Sequence, residues 1–133
     1  MSQVLIVDNS LIQVTALKNF LESNGFRISV AMSGEEGIDL AKQAKPDLII
    51  MDVYMPGISG FQATRFLSSD PDTRTIPILI VTHRDSEHDI SWGLRQGAKS
   101  YLIKPVPEQE LLSEISTLLS QPLTLEAVTG TMN

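Results

Sequence analysis

Three runs of four consecutive apolar residues most constrain what this chain can fold into: Val4-Leu5-Ile6-Val7, Leu48-Ile49-Ile50-Met51 and Ile78-Leu79-Ile80-Val81. They show no apolar–polar alternation, so none of them has a face to offer to water. Rich in Ile and Val, they read as strands covered on both sides, as in a parallel sheet packed between helices. Two weaker runs, Ile28-Ser29-Val30-Ala31 and Tyr101-Leu102-Ile103, read as further strands.

Amphipathic stretches separate the runs, and helix-start signals fall where they begin. Ser10-x-x-Gln13, Ser33-x-x-Glu36, Ser59-x-x-Gln62 and Ser86-x-x-Asp89 each resemble a capping box, in which the Ser oxygen takes one orphan N–H and the later side chain takes another. Asp89 is the shortest reach of the four. Pro107 suits the first position of a fifth helix, and Gly25 and Gly97 stand where helices stop. Leu111, Leu112, Ile115, Leu118 and Leu119 form the best apolar stripe. Five strand–helix units ending near Leu119 predict an α/β fold, a doubly wound five-stranded parallel sheet with helices on both faces and right-handed crossovers.

With 133 residues there is room for one domain. Residues 1–120 carry the pattern. Residues 121–133, after Pro122 breaks the last helix, read as a tail or the start of a linker. The absence of cysteine excludes disulfides, thiolate metal sites and a cysteine nucleophile. A formal charge of −6 argues against nucleic-acid binding, which needs clustered Lys and Arg. The first residues lack the shape of a signal peptide, and no apolar run approaches membrane-spanning length, so the expected address is the cytoplasm, without a membrane partner.

In open α/β sheets the ligand site lies beyond the carboxyl ends of the strands. The residues that follow the apolar runs there are Asp8-Asn9, Asp52, Thr82 and Lys104-Pro105. Phosphoryl transfer to a carboxylate needs such a set. Acidic and amide oxygens can hold Mg²⁺, a hard cation. The ammonium and the hydroxyl meet phosphoryl oxygens, and an Asp carboxylate can be the nucleophile.

Val4-Leu5-Ile6-Val7-Asp8-Asn9-Ser10, the block Met51-Asp52-Val53-Tyr54-Met55-Pro56-Gly57-Ile58-Ser59-Gly60, Val81-Thr82 and Leu102-Ile103-Lys104-Pro105 resemble the receiver domain of two-component response regulators. The likeness spans roughly residues 2–120. It implies a flavodoxin-like fold with strand order 2-1-3-4-5. It implies Asp52 as phosphoacceptor, and Asp8, Asn9, Asp52 and the Tyr54 backbone carbonyl as Mg²⁺ ligands. Thr82 and Tyr101 resemble the switch pair, and Lys104 the phosphoryl-binding lysine. A cis bond is expected before Pro105. The output surface is expected over helix 4, strand 5 and helix 5, roughly residues 86–119. The implied partners are a histidine kinase or phosphotransfer protein upstream, and an effector domain beyond Asn133 or a separate target downstream. The implied domain is not a turnover enzyme.

Two positions depart from the family pattern. Asn9 stands where an acid is usual, which keeps an oxygen ligand but loses a charge. After solvent relaxation that loss lowers metal affinity by about ten-fold. His83 follows Thr82 where Ala or Gly is usual, and narrows the entrance to Asp52. Together they define an alternative, a pseudo-receiver that binds partners without being phosphorylated. A haloacid-dehalogenase-type phosphatase needs Asp-x-Asp after strand 1, where this chain has Asp8-Asn9-Ser10. A flavin site is weaker still, because the first loop lacks a phosphate cradle. His83 and His88 read as part of a solvated helix start rather than a metal pair, and Trp92 as packing partly into the core.

Overall fold

The computed structural model describes residues 2–120. Strands and helices alternate from β1 to α5: β1 (Gln3–Val7), α1 (Leu11–Ser23), β2 (Arg27–Ala31), α2 (Gly34–Ala44), β3 (Leu48–Met51), α3 (Gly60–Ser69), β4 (Ile78–Thr82), α4 (Glu87–Arg95), β5 (Ser100–Ile103) and α5 (Glu108–Ser120). All strand pairs are parallel, in the order β2-β1-β3-β4-β5. This is the expected doubly wound fold. The expected tail, 121–133, lies outside the described residues.

The three apolar runs became the three central strands. Each divides its side chains between the two faces, as the period of two requires. Leu5, Val7, Ile49, Met51, Ile78 and Ile80 pack with Ala41 of α2 and Phe61, Ala63 and Leu67 of α3. Val4, Ile6, Leu48, Ile50, Leu79 and Val81 pack on the other face with Val14 and Leu21 of α1 and Leu111, Ile115 and Leu118 of α5. Fully burying one such side chain is worth roughly 1.5–3 kcal/mol. That is why residues 4–7, 48–51 and 78–81 of these strands are apolar throughout.

Helix ends follow the sequence signals with instructive exceptions. Ser10, Ser33, Ser59 and Ser86 all cap helices, yet the reciprocal box closes fully only at Ser59, with Gln62. Glu36 Oε1 accepts from Met32 N at 2.8 Å instead of from Ser33. Asp89 is shared between the Ser86 hydroxyl, 2.9 Å away, and Arg84. Gln13 turns away altogether, for a reason that lies in the site. Gly25 and Gly97 do end α1 and α4, with φ of +92° and +118°. At both, the next two N–H groups fold back onto the helix: Gly25 to Glu22 and Phe26 to Leu21, Gly97 to Leu94 and Ala98 to Gly93. The fifth helix starts at Glu108, one residue later than expected, with Pro107 supplying the first acceptor carbonyl, to Leu111 N.

β1 sits between β2 and β3, so the chain leaves it in opposite directions across the sheet. The crevice at such a reversal is where ligands bind in this architecture. It lies at the carboxyl ends of β1 and β3, which are followed by Asp8 and Asp52.

Candidate functional site

Backbone pairing places both acids. Asp8 N donates to Ala31 O at 3.1 Å and Asp52 N donates to Val7 O at 2.9 Å. Each carboxylate then has one oxygen tied locally. Asp8 Oδ1 accepts from Ser10 N at 2.9 Å, and Asp52 Oδ1 accepts from Val53 N at 2.7 Å. The other oxygen of each faces Lys104 Nζ, at 3.2 Å from Asp8 Oδ2 and 3.4 Å from Asp52 Oδ2. Lys104 is delivered by β5, and its own N–H donates to Thr82 O at 2.9 Å. The Lys104–Pro105 peptide is cis.

Asp8 and Asp52 are only 6% and 8% exposed. Two mostly buried carboxylates and one ammonium leave a local charge of about −1 in a medium that screens poorly. The free lone pairs are those of hard oxygens at the mouth of the crevice. This donor set fits Mg²⁺, which takes one or two carboxylates and keeps several waters. Asn9 is exposed beside Asp8, and Tyr54 follows Asp52 by two residues with 55% of its surface exposed. Among the described residues no group of three His, Cys, Asp or Glu side chains could hold a metal. His83 and His88, read from the sequence as part of a solvated helix start, are both exposed.

Thr82 is the last residue of β4 and fully buried. Its hydroxyl accepts a long hydrogen bond, 3.4 Å, from Arg84 N. Tyr101 is half-buried, and its hydroxyl donates to Arg84 O at 2.8 Å. The loop after β4 is thus held by both expected switch residues. Arg84 braces it from the other side. Its guanidinium pairs with Asp89 at 3.1 Å and lies 5.4 Å from the Tyr54 ring and 6.0 Å from that of Phe61. Gly93 of α4 makes room for Tyr101, since a Cβ there would lie 2.9 Å from the ring. Trp92, 41% exposed, lines an open cleft of about 400 Å³ together with Tyr54, Arg84 and His88. Neither Arg84 nor Gly93 carries a sequence signal for these roles.

Burial, with Asp89 nearby, pushes the Tyr101 phenol up to about 12. The folded state therefore holds this proton more tightly than the unfolded chain, whose phenol titrates near 10. The stabilisation it contributes is complete below pH 10 and is lost as pH rises through 12. The chain has two tyrosines. In a Tyr54→Phe protein, ultraviolet titration should show a single phenolate midpoint near 12. A midpoint near 10 would mean that Tyr101 is solvated.

The sequence puts Asp8, Asp52 and Lys104 at one edge of the sheet, and the structure brings their side chains together there. It missed Gln13, whose Oε1 accepts a hydrogen bond from Lys104 Nζ. His83 and Lys104 line a second cleft, of about 440 Å³, between α1 and the start of α5.

A parallel 2-1-3-4-5 sheet with an Asp–Asp–Lys cluster at its carboxyl edge defines a class, and residues 4–116 match the family model of the response regulator receiver domain. This chain belongs to that family, a module of two-component signalling that is phosphorylated and turns over no external substrate. It is 48% identical over 120 residues to Protein PilH of Pseudomonas aeruginosa, covering 90% of this chain and 99% of that one. Other curated relatives are longer, and the match spans 28% of one and 51% of another. Among solved structures, a putative response regulator from Chloroflexus aurantiacus aligns with a TM-score of 0.86 at 32% identity, covering 90% of this chain and 98% of that one. The receiver domain of the sensor histidine kinase PA1611 from P. aeruginosa aligns at 0.84 and 26% identity, covering 90% and 98%. That structure has a magnesium ion coordinated in its active-site cleft. Among the described residues, no helix is long and apolar enough to cross a membrane.

Proposed function

We propose that this receiver is a phosphorylation-dependent switch that accepts a phosphoryl group on Asp52 from a histidine kinase or phosphotransfer protein. The observation that carries this is the single ammonium of Lys104 facing free oxygens of both Asp8 and Asp52. In the transfer, an Asp52 oxygen forms a bond to phosphorus as the donor imidazole nitrogen leaves. Lys104 then follows the new charge, moving from the carboxylate to a phosphoryl oxygen. Asp8, Asn9, Asp52 and the Tyr54 carbonyl would hold Mg²⁺, which supplies charge screening between the incoming group and the carboxylates. Asn9 leaves that site weaker than an acid would. The magnesium-bound relative supports this assignment. We place the domain at 1–120, with 121–133 as a tail or the start of a linker, and its work in the cytoplasm.

The phosphoryl group carries about −1.5 to −2 and three acceptor oxygens. Thr82 turns its hydroxyl toward one of them and gives up its bond with Arg84 N. Tyr101 shares that loop through Arg84 O, so the change passes into α4, β5 and α5. Driving such an equilibrium from 1:99 to 99:1 takes ~5.5 kcal/mol, within reach of a few charge-assisted hydrogen bonds. The test is amide-resolved NMR with Mg²⁺ and beryllofluoride, a phosphoryl mimic. Shifts should run from the site into residues 86–119, and Thr82→Ala should suppress the distant ones. Shifts confined to the loops around Asp8, Asp52 and Lys104 would place the output elsewhere. A chain that takes neither beryllofluoride nor a phosphoryl group would be the pseudo-receiver.

A further inference from the structure

Lys104 has three donors, and two of them are accounted for by the acids of the site. The third goes to Gln13 Oε1, from the first turn of α1. This contact exists because a local one was lost. Gln13 stands three residues after the cap Ser10, and its own N–H is capped by Ser10 Oγ at 3.3 Å. In a closed box its side chain would return to Ser10 N. That donor is already taken by Asp8 Oδ1 at 2.9 Å. The Gln13 side chain is therefore released toward the crevice.

We propose that Gln13 is a positioning residue that holds the Lys104 ammonium over the phosphoacceptor, resting on the reading of Asp52 above. Three features make the role specific. The ammonium is held from three separate elements: the end of β1, the end of β3, and α1. The amide is neutral, so it supplies an acceptor without competing with a phosphoryl group for the charge of Lys104. Gln13 and Lys104 also line the same open cleft of about 440 Å³, walled by Leu17, Phe20 and Val106. Without the tether, a four-carbon stem has that space to swing into, and its ordering must be supplied on binding instead.

The test uses the full chain, with beryllofluoride and Mg²⁺ as the probe. Gln13→Met keeps the length of the side chain and removes the acceptor. It should weaken apparent beryllofluoride affinity about five-fold, the size of one hydrogen bond to a charged group with partial solvent compensation. In a Lys104→Ala background the same substitution should change nothing further. An equal drop in that background would overturn the proposal, because Gln13 would then act through the helix rather than through Lys104. Gln13→Glu separates holding from charge. It should keep the slowly exchanging Lys104 ammonium signal in ¹⁵N NMR, which Gln13→Met loses, and still weaken beryllofluoride binding. An ammonium signal unchanged in Gln13→Met would also overturn the tether. If the wild-type chain binds no beryllofluoride, the reading of Asp52 fails on its own. The ammonium signal of the unliganded protein then still decides the role of Gln13.

Discussion

Acetyl phosphate with Mg²⁺ should add one phosphoryl mass to the wild-type chain and none to Asp52→Asn, as read by intact mass spectrometry. The amide of Asn is not a nucleophile, so labelling should fall by at least about a hundred-fold, to background. The substitution spares the fold. Asn keeps the volume of Asp and an oxygen to accept from Val53 N, the bond that holds Asp52 Oδ1 at 2.7 Å. Lys104 retains Asp8 and Gln13. One of two mostly buried carboxylates loses its charge, which relieves their mutual repulsion. The urea midpoint of Asp52→Asn should therefore be no lower than that of the wild type. Equal labelling of both proteins would sink Asp52 as the acceptor. Absent labelling in both would favour the pseudo-receiver.

Gly60→Ala should be among the most destabilising single changes in this chain. Gly60 opens α3 directly above the end of β3, and its N–H donates to Val53 O at 3.0 Å. A Cβ there would lie 2.0 Å from Asp52 O and 2.8 Å from Val53 Cα. Both are backbone atoms, so no side chain can yield. Either α3 lifts off the sheet or the strand end that aims Asp52 is displaced. Overpacking of this kind costs about 3 kcal/mol or more, and a loss of that size should lower the urea midpoint by more than 1 M at an m-value of about 2 kcal/mol/M. Phosphorylation should slow as well. Gly25→Ala is the informative contrast. Gly25 has φ of +92° and nothing within 4 Å of its missing Cβ, so it carries only the backbone strain, about 1–2 kcal/mol. Equal midpoint shifts in the two proteins would show that close approach is not what glycine serves at position 60.

Residues 4–7, 48–51 and 78–81 made the central strands legible, because an uninterrupted apolar run has few ways to hide from water. Asp8, Asp52, Thr82 and Lys104 were legible for a related reason. Each ends or follows a strand, and in a parallel sheet the carboxyl ends share one edge. The caps Ser10, Ser33, Ser59 and Ser86 were legible because a cap is a bond across three residues. What those boxes did with their second side chain was not. Gln13 binds an ammonium 91 residues away, and Asp89 is shared with Arg84. Bonds to charged groups outweigh the weaker return to a helix end.

The amino-acid sequence by itself determined which segments are strands and helices, and which polar side chains stand at the strand ends. Those are consequences of local period and burial. Only the tertiary structure decided that Gln13 completes the shell of Lys104, that Arg84 and Gly93 brace Tyr101, and that Gly60 must be bare. Each of these depends on the distance between atoms far apart in the chain. That distance is set by how β1, β3, β4 and β5 lie side by side.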